Sequence, residues 1–225
     1  MSKSNNPTHT FVVCAYKESP YLEKCIQSVL KQSEKSSVVI STGTPNDYIK
    51  EIAKKYELPM YVNTGKTSIA DDWNFAVSCV DTDLVTLAHQ DDIYEKNYLK
   101  YILAGYKKAE NPIILFTDYG ELRNNKIVLK NKLLVIKRML LFILRCPAMW
   151  NNILVRRRIL SLGSAICCPA VTLNKKMIEE INQLLCDEDK LQEMSENTRI
   201  HFERFKIEII IEKWKNVFEK VEKQK

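Results

Sequence analysis

Apolar runs and helical repeats alternate along roughly the first 120 residues of the chain. The apolar run Thr10–Ala15 predicts a strand, and apolar residues from Leu22 to Leu30 repeat at the spacing of one buried helix face, which predicts a helix starting near Pro20. The alternation continues with predicted strands at Val38–Ser41, Met60–Val62, Leu84–Ala88 and Ile113–Phe116, and with predicted helices after Thr44, at Ser68–Ser78 and at Asn97–Ala109. This pattern predicts an α/β fold with a mainly parallel sheet, whose ligands bind beyond the carboxyl ends of the strands.

The second predicted helix starts in the run Thr44-Pro45-Asn46-Asp47. We predict Thr44 as its N-cap, because a threonine hydroxyl accepts a bond from a free N–H of the first turn. Pro45 is then predicted at the first helical position, where no N–H is needed.

The second half of the chain is less regular. Tyr119–Leu129 predicts a hairpin that turns at Asn124-Asn125, and Leu133–Leu144 predicts a helix that is both apolar and basic. From Met177 onward glycine and proline are absent and charge rises, which predicts a helical tail. Its last helix places these apolar residues on one face: Ile210, Ile211, Trp214, Val217, Phe218 and Val221. We therefore predict a domain at residues 1–176 and a helical extension at residues 177–225.

Composition and targeting signals limit the function classes. The chain is 45% hydrophobic with a net charge of +6, which fits a partner that carries phosphate, an anionic membrane surface, or an ordinary solvated basic surface. The polar start MSKSNNPTHT predicts no secretory signal, and Leu133–Leu144 is shorter than the roughly 20 apolar residues that span a bilayer. Seven cysteines without a C-x-x-C pair indicate neither a zinc site nor a redox dithiol. We expect a cytoplasmic protein, and the basic residues show no stripe interleaved with aromatics that would indicate nucleic-acid binding.

The adjacent acids Asp91-Asp92 directly follow an apolar strand. Two neighbouring carboxylates repel each other, and oxygen ligands of this kind suit Mg²⁺ or Mn²⁺, which complete their coordination with water and substrate phosphates. The alternative is a solvated turn whose acids cap the next helix. Taken alone, the pair does not decide between these two readings.

Four segments in order give the pair a context. The segments are Phe11–Glu18, Leu22–Gln32, Asn63–Lys66 with Ala70–Ala76, and Asp83–Asp92. Together they resemble glycosyltransferase family 2 over about residues 8–173: its opening strand and helix, its glycine-rich stretch, its asparagine-bearing helix and its D-x-D strand. The resemblance implies a GT-A-like fold, in which a mainly parallel sheet is flanked by helices. It also implies transfer of a sugar from a nucleotide-diphosphate donor.

The resemblance assigns roles to individual residues. It implies that the donor is bound by Ala15, Tyr16, Glu18, Lys66, Asn74 and Asp91. It further implies that Asp92 and Asp91 hold Mn²⁺ or Mg²⁺, with Asp92 as the first choice of direct ligand. Packing or helix capping is the alternative role for Tyr16 and Asn74.

The chain departs from the family pattern at three donor-site positions. The second strand ends in Ser41-Thr42-Gly43, whereas the family usually has an acid there that hydrogen-bonds the base. His89 occupies the position of the first aspartate of the D-x-D motif. Trp73 occupies a position where the family commonly has an arginine. These differences resemble subgroup variations, and they leave the identity of the nucleotide open. Thr42 is the residue expected to hydrogen-bond the base instead.

The catalytic base is not identifiable from the sequence. Inverting transfer needs a group that takes the acceptor hydroxyl's proton, and the family supplies an acid from its second half. Leu162–Thr172 resembles the segment leading to that acid, but the following tail resembles the closing helices of glycosyltransferase family 4. The base is then missing, or one of Asp187, Glu188 or Asp189 replaces it.

Three functions follow from these observations. The first is a metal-dependent, inverting glycosyltransferase that acts on a saccharide, lipid-linked glycan or cell-surface glycan precursor. The second is a degenerate protein that binds nucleotide sugar without transferring it. The third is an assembly subunit that forms oligomers through its C-terminal helix. Arg156-Arg157-Arg158 beside Leu133–Leu144 also fits either peripheral contact with the inner face of a membrane or a solvated basic turn.

Overall fold

The computed structural model describes residues 7–65, 68–123, 126–161, 165–193 and 196. Its strands are β1 His9–Ala15, β2 Ser37–Thr42, β3 Met60–Val62, β4 Leu84–His89, β5 Ile114–Phe116, β6 Glu121–Arg123, β7 Lys126–Val128 and β8 Val171–Asn174. Its α-helices are α1 Leu22–Leu30, α2 Asp47–Lys55, α3 Ile69–Ser78, α4 Tyr98–Lys108, α5 Lys132–Leu141, α6 Ile153–Ser161 and α7 Lys175–Leu185. Short 3₁₀ helices lie at Phe142–Arg145, Pro147–Met149 and Cys168–Ala170.

Six strands form the central sheet in the order β3-β2-β1-β4-β8-β5. β1 pairs in parallel with β2 and with β4, so Ala15 lies opposite Thr42 and Cys14 lies opposite His89. β8 runs antiparallel between β4 and β5. The predicted α/β fold with a mainly parallel sheet is confirmed.

Helices cover both faces of this sheet. One core cluster joins the face of β1 that carries Phe11 and Val13 to the buried sides of α1, α2 and α4. On the other face, Val12 and Val85 pack against α3 through Ala76. The alternation of β1 side chains between two cores explains why its run is apolar throughout, since both of its faces are buried.

A buried polar network crosses the middle of the sheet. The Nε2 atom of His9 lies 2.8 Å from the Thr86 hydroxyl, which lies 2.6 Å from the Thr172 hydroxyl, and the Tyr98 hydroxyl is 2.9 Å from Thr172. The ring Nδ1 of His9 is 2.7 Å from the Ser36 hydroxyl. The network links β1, β4, β8 and α4, and it satisfies polar groups that would be costly to bury alone.

Three local predictions are wrong, and one of them is Pro45, which lies before the N-cap of α2 and not at its first helical position. The N-cap of α2 is Asn46, whose side chain accepts a bond from the Ile49 N–H, rather than Thr44. Thr44 lies before the helix because its hydroxyl accepts the Lys17 N–H at 2.6 Å. The triplet Arg156–Arg158 lies within α6 and not in a turn.

The predicted hairpin is present as β6 and β7, which pair antiparallel, while residues 124 and 125 at its expected turn lie outside the described residues. Helix α5 begins at Lys132 and continues as a 3₁₀ helix to Arg145, close to the predicted Leu133–Leu144. Among the helices that the structure describes, none combines the length and the apolar character needed to cross a membrane. All seven cysteines are free thiols.

The chain divides into two compact units, Met1–Ile178 and Glu179–Lys225. In the second unit the described residues are helical at 179–185 and at 188–193. The predicted apolar face around Trp214 lies outside the described residues.

Candidate donor-binding site

The sheet has a topological switch point between β1 and β4. The chain leaves β1 toward β2 on one side, whereas β4 lies on the other side, so the loops after β1 and β4 diverge at the carboxyl edge. Two hydrogen bonds hold these loops together: the Tyr16 N–H donates to Gln90 Oε1 and the Gln90 amide donates to the Tyr16 carbonyl, both at 2.9 Å. The Tyr16 side chain is 53% exposed beside this bridge and offers an aromatic face to a ligand.

The loop after β1 is fixed against the loop after β2. Lys17 has a φ of 52°, a left-handed conformation that turns the chain sharply. Its N–H donates to the Thr44 hydroxyl, and the Thr44 N–H donates to the Thr42 hydroxyl oxygen at 3.0 Å. Thr42 is buried, and its hydroxyl proton is still available to donate.

Helix α3 places a carboxylate at the end of β2. Asp72 approaches Gly43 so closely that a Cβ atom at that glycine would lie 2.6 Å from Asp72 Oδ1. The same oxygen accepts a 2.7 Å bond from the Asn63 side-chain amide, and the Asn63 N–H donates to the Thr42 carbonyl. The acid that the sequence lacks at the end of β2 is therefore present in space, contributed by another element.

Asp91 and Asp92 lie just beyond β4. Asp91 is exposed and Asp92 is half-buried, and among the described residues no lysine or arginine forms an ion pair with either. The Asp92 N–H donates to the His89 carbonyl at 3.0 Å, which fixes the turn. Burial, and then repulsion from Asp91, raises the pKa of Asp92 to about 6. The pair thus lacks a nearby positive charge and would be stabilised by a cation.

His89 lies beside the acids in a half-buried position. Its ring centroid is 5.1 Å from that of Trp73, and its Nε2 atom is 3.9 Å from the Cys168 thiol. Burial lowers its pKa, although Asp91 opposes that effect, so the ring is neutral at pH 7. A neutral imidazole adds no positive charge that would compete with a metal ion.

The carboxylates of Asp91 and Asp92 suit a divalent cation whose remaining ligands come from a substrate. In the described part of the chain no three His, Cys, Asp or Glu side chains are grouped so that they could hold a metal by themselves. Mg²⁺ and Mn²⁺ are commonly bound by one or two carboxylates together with substrate phosphates and water. Two free carboxylates therefore suit these ions better than they suit Zn²⁺, which needs three or four protein ligands.

The predicted site residues divide into three groups. The carboxyl edge of the sheet brings together Ala15, Tyr16, Thr42, Asp91 and Asp92. Glu18 and Asn74 are exposed, the first on the loop after β1 and the second on α3, and their donor contacts stay predictions. Lys66 lies outside the described residues.

The sequence pattern alone assigns no role to Gln90 or Asp72. Gln90 stood in the run His89-Gln90-Asp91-Asp92 at the end of a strand, which was a usable signal because strand ends form the site. Asp72 lies on a helix 29 residues after Gly43 in the chain, so no local pattern connects the two.

The fold is similar to several solved structures. A mannosyltransferase from Pyrobaculum calidifontis, in complex with GDP-Man and Mn²⁺, has 17% identity and a TM-score of 0.44, with 54% of this chain and 38% of that chain covered. Glucosyl-3-phosphoglycerate synthase from Mycobacterium tuberculosis, in complex with UDP, has 12% identity and a TM-score of 0.48, with 76% and 57% covered. S. aureus TarS has 20% identity and a TM-score of 0.41, with 45% and 20% covered. The chain thus spans only part of the length of each of these proteins.

Comparison of the sequence with curated proteins finds no match. The family model for glycosyl transferase family 2 matches residues 10–180, which include the central sheet except His9, and both acids after β4. With this match over more than half of its length, the chain belongs to glycosyltransferase family 2.

Proposed function

We propose that this protein transfers a sugar from a nucleotide-diphosphate donor to a saccharide, lipid-linked or cell-surface glycan acceptor, with inversion at the sugar carbon. The reaction depends on Mn²⁺ or Mg²⁺ held by Asp92 and Asp91. Family membership supports the reaction class, and the layout of the carboxyl edge supports the donor site.

The nucleoside binds on the β1 and β2 side of the site. Tyr16 presents its ring to the base, and its position is fixed by the two bonds with Gln90. Thr42 donates its hydroxyl proton to the nucleoside, and Asp72 accepts from base N–H or ribose O–H groups at the end of β2. Asp72 takes this role in addition to the residues that the sequence predicted.

The diphosphate binds on the β4 side, next to Asp91 and Asp92. When bound, the cation neutralises the charge that develops on the departing nucleoside diphosphate, an effect of several kcal/mol. The two carboxylates orient the diphosphate relative to Tyr16, since the Tyr16–Gln90 bridge joins the two loops. Uncharged His89 keeps the space beside them free of a competing cation.

One observation carries the proposal: two carboxylates without a cationic partner, in the described part of the chain, lie at the switch point beside an exposed aromatic ring. Neighbouring unpaired acids reduce stability unless a ligand uses them. The alternative role of capping the next helix is not filled by these acids, because the N-cap of α4 is Asn97.

A second function, donor binding without transfer, is favoured by one feature of the sequence. Residues 122–178 contain no aspartate or glutamate, so the last third of the first unit offers no carboxylate for the base. Asp118, just before this segment, is paired with Arg138 at 2.8 Å. Asp187, Glu188 and Asp189 lie in the second unit and stay predictions, as does assembly through the C-terminal helix.

A donor panel separates the two functions. The purified chain is incubated with UDP- and GDP-sugars and Mn²⁺, and released nucleoside diphosphate and glycosylated products are measured by mass spectrometry. We expect release with one donor class, and a loss of at least about a hundredfold in Asp92→Ala, because the cation loses its main ligand.

Glu34→Ala is the matched control, because Glu34 is an exposed carboxylate on the loop before β2. It should release product at the wild-type rate. Donor binding without any release would support the binder, and equal release by Asp92→Ala and the wild type would refute the metal role of that residue.

A further inference from the structure

The positive charge of this protein is concentrated in one segment. Residues 122–178 carry twelve lysines and arginines and no acid, whereas the whole chain has a net charge of only +6. The remaining residues are therefore net negative. We call residues 122–178 the acid-free segment.

Exposed apolar side chains are concentrated in the same segment. Met139 is 71% exposed, Leu154 is 72% exposed and Leu160 is 69% exposed. Other large side chains there are also exposed: Leu133, Val135, Ile136, Phe142, Ile143 and Ile153. A soluble surface normally scatters such residues singly, and a concentration of them indicates an interaction site.

Helix α5 does not follow the usual pattern of a surface helix, in which apolar side chains face the core and charged side chains face the solvent. Two of its three basic residues turn inward: Arg138 binds Asp118 and the carbonyl of Tyr119, and Lys137 donates to the Tyr119 hydroxyl at 3.0 Å. Its apolar residues Ile136 and Met139 face outward, and only Leu134 is fully buried. The inward basic residues hold the helix with its apolar side exposed.

Helix α6 mixes the two kinds of side chain on one exposed stripe. Ile153, Arg157 and Leu160 are spaced i, i+4 and i+7, so they lie above one another along the helix. Arg156 and Arg158 are exposed on either side. Aliphatic side chains and guanidinium groups are therefore exposed side by side along α6, so that one surface could contact both lipid acyl chains and lipid phosphates.

Several cations of the segment are available to a partner. Within the described residues, no carboxylate pairs with Lys130, Lys132, Arg145, Arg156, Arg157 or Arg158. A second copy of this chain would bring the same acid-free surface against itself, and the like charges would repel. An anionic surface complements both the charge and the apolar side chains.

We propose that the exposed side chains of α5, α6 and the 3₁₀ helices between them dock this protein on an anionic lipid bilayer. The aliphatic side chains enter the outer acyl region and the arginines bind the lipid phosphates. This inference does not depend on donor binding or on sugar transfer.

Vesicle sedimentation tests the proposal with the full chain. Vesicles of phosphatidylcholine containing one third phosphatidylglycerol are compared with pure phosphatidylcholine, at low and at high salt. We expect binding to the anionic vesicles only, weakened by high salt, because exposed charges are screened over about 10 Å or less at 0.1 M salt and above.

Two variants separate the contributions of charge and apolar area. Arg156→Gln/Arg157→Gln/Arg158→Gln should weaken partitioning by on the order of a hundredfold. Lys100→Gln/Lys107→Gln/Lys108→Gln removes the same charge from the exposed side of α4 and should have little effect. Met139→Ser/Leu154→Ser/Leu160→Ser should also weaken binding, while Tyr101→Ser, at a side chain 65% exposed on α4, should not.

Three outcomes would overturn the proposal. One is the absence of binding to the anionic vesicles, and another is equal losses in the two charge variants, which would indicate a general effect of net charge. The third is a dimer in solution that Met139→Ser/Leu154→Ser/Leu160→Ser dissociates, which would assign the apolar side chains to a second copy.

Discussion

At the residue scale, the close approach of Asp72 to Gly43 joins α3 to the end of β2 at the proposed donor site. A side chain at position 43 would meet Asp72 Oδ1 at 2.6 Å and would displace it from the Asn63 amide. Because the displaced atom is the end of a side chain, the fold can adapt at low cost. The carboxylate at the end of β2 would nevertheless leave its place.

We expect Gly43→Ala to weaken nucleotide affinity by about tenfold, the loss of roughly one charge-assisted hydrogen bond. The free energy of unfolding should change by less than about 1 kcal/mol. Calorimetric titration with nucleotide and thermal melting measure the two quantities. Asp72→Asn should reproduce the affinity loss, and a Gly43→Ala protein with wild-type affinity would contradict the role of Asp72.

Buried His9 makes the stability depend on pH. Burial lowers its pKa to about 3, so the folded protein keeps the ring neutral while the unfolded chain binds a proton below about 6.5. The unfolded state then binds more protons than the folded state between these values, so stability is lost as the pH falls from about 6.5 toward 3. Above about 6.5 the residue contributes no pH dependence.

We expect the free energy of unfolding to fall by about 2 kcal/mol more between pH 7 and pH 5 in the wild type than in His9→Gln. Urea denaturation at the two pH values measures this difference. Glutamine retains hydrogen-bonding groups but does not titrate. Identical pH dependence in the two proteins would show that His9 is not held neutral.

At the element scale, β8 depends on hydroxyl groups for its place between β4 and β5. Its buried residues are Thr172 and Asn174, while Val171 and Leu173 are half-buried. Thr172 bonds to Thr86 of β4 and to Tyr98 of α4. Thr172→Val should therefore lower the free energy of unfolding by about 1–3 kcal/mol, because it leaves buried hydroxyl groups without a partner.

Urea denaturation checks this prediction, with Thr64→Val at an exposed threonine as the control that should change stability little. Equal stability of Thr172→Val and the wild type would mean that apolar packing alone places β8.

The same features explain which elements the sequence could predict. β1, β4 and the buried side of α1 were predictable because apolar residues follow the period of each element. β8 was missed because it has only four residues and because its alternation places polar residues, not apolar ones, at the buried positions. The N-cap of α2 was misplaced because both Thr44 and Asn46 can cap, and the choice depends on a bond from Lys17 on another loop.

The sequence could predict some residues of the candidate site and not others, as it could for the helices and strands. Asp91 and Asp92 could be placed at the carboxyl edge because they follow a buried strand. Asp72 could not, because its proximity to Gly43 results from the packing of α3 and not from any local pattern.

At the scale of the whole molecule, the proposed donor site and the basic, apolar surface lie in different parts of the chain. The proposed donor site lies at the ends of β1, β2 and β4, in the part of the chain before the acid-free segment. The exposed apolar and basic residues lie within that segment. In our account one region binds the nucleotide sugar, and the other holds the protein at a surface that carries the acceptor.

Calorimetric titration of UDP and GDP, with and without Mn²⁺, tests the central claim about the donor site most directly. We predict Mn²⁺-dependent binding of at least one nucleotide, weakened at least about tenfold in Asp92→Asn and unchanged in Glu34→Gln. Binding of neither nucleotide by the wild type, wild-type binding that does not change when Mn²⁺ is left out, or an affinity of Asp92→Asn in Mn²⁺ equal to that of the wild type would contradict a cation-assisted diphosphate site at the end of β4.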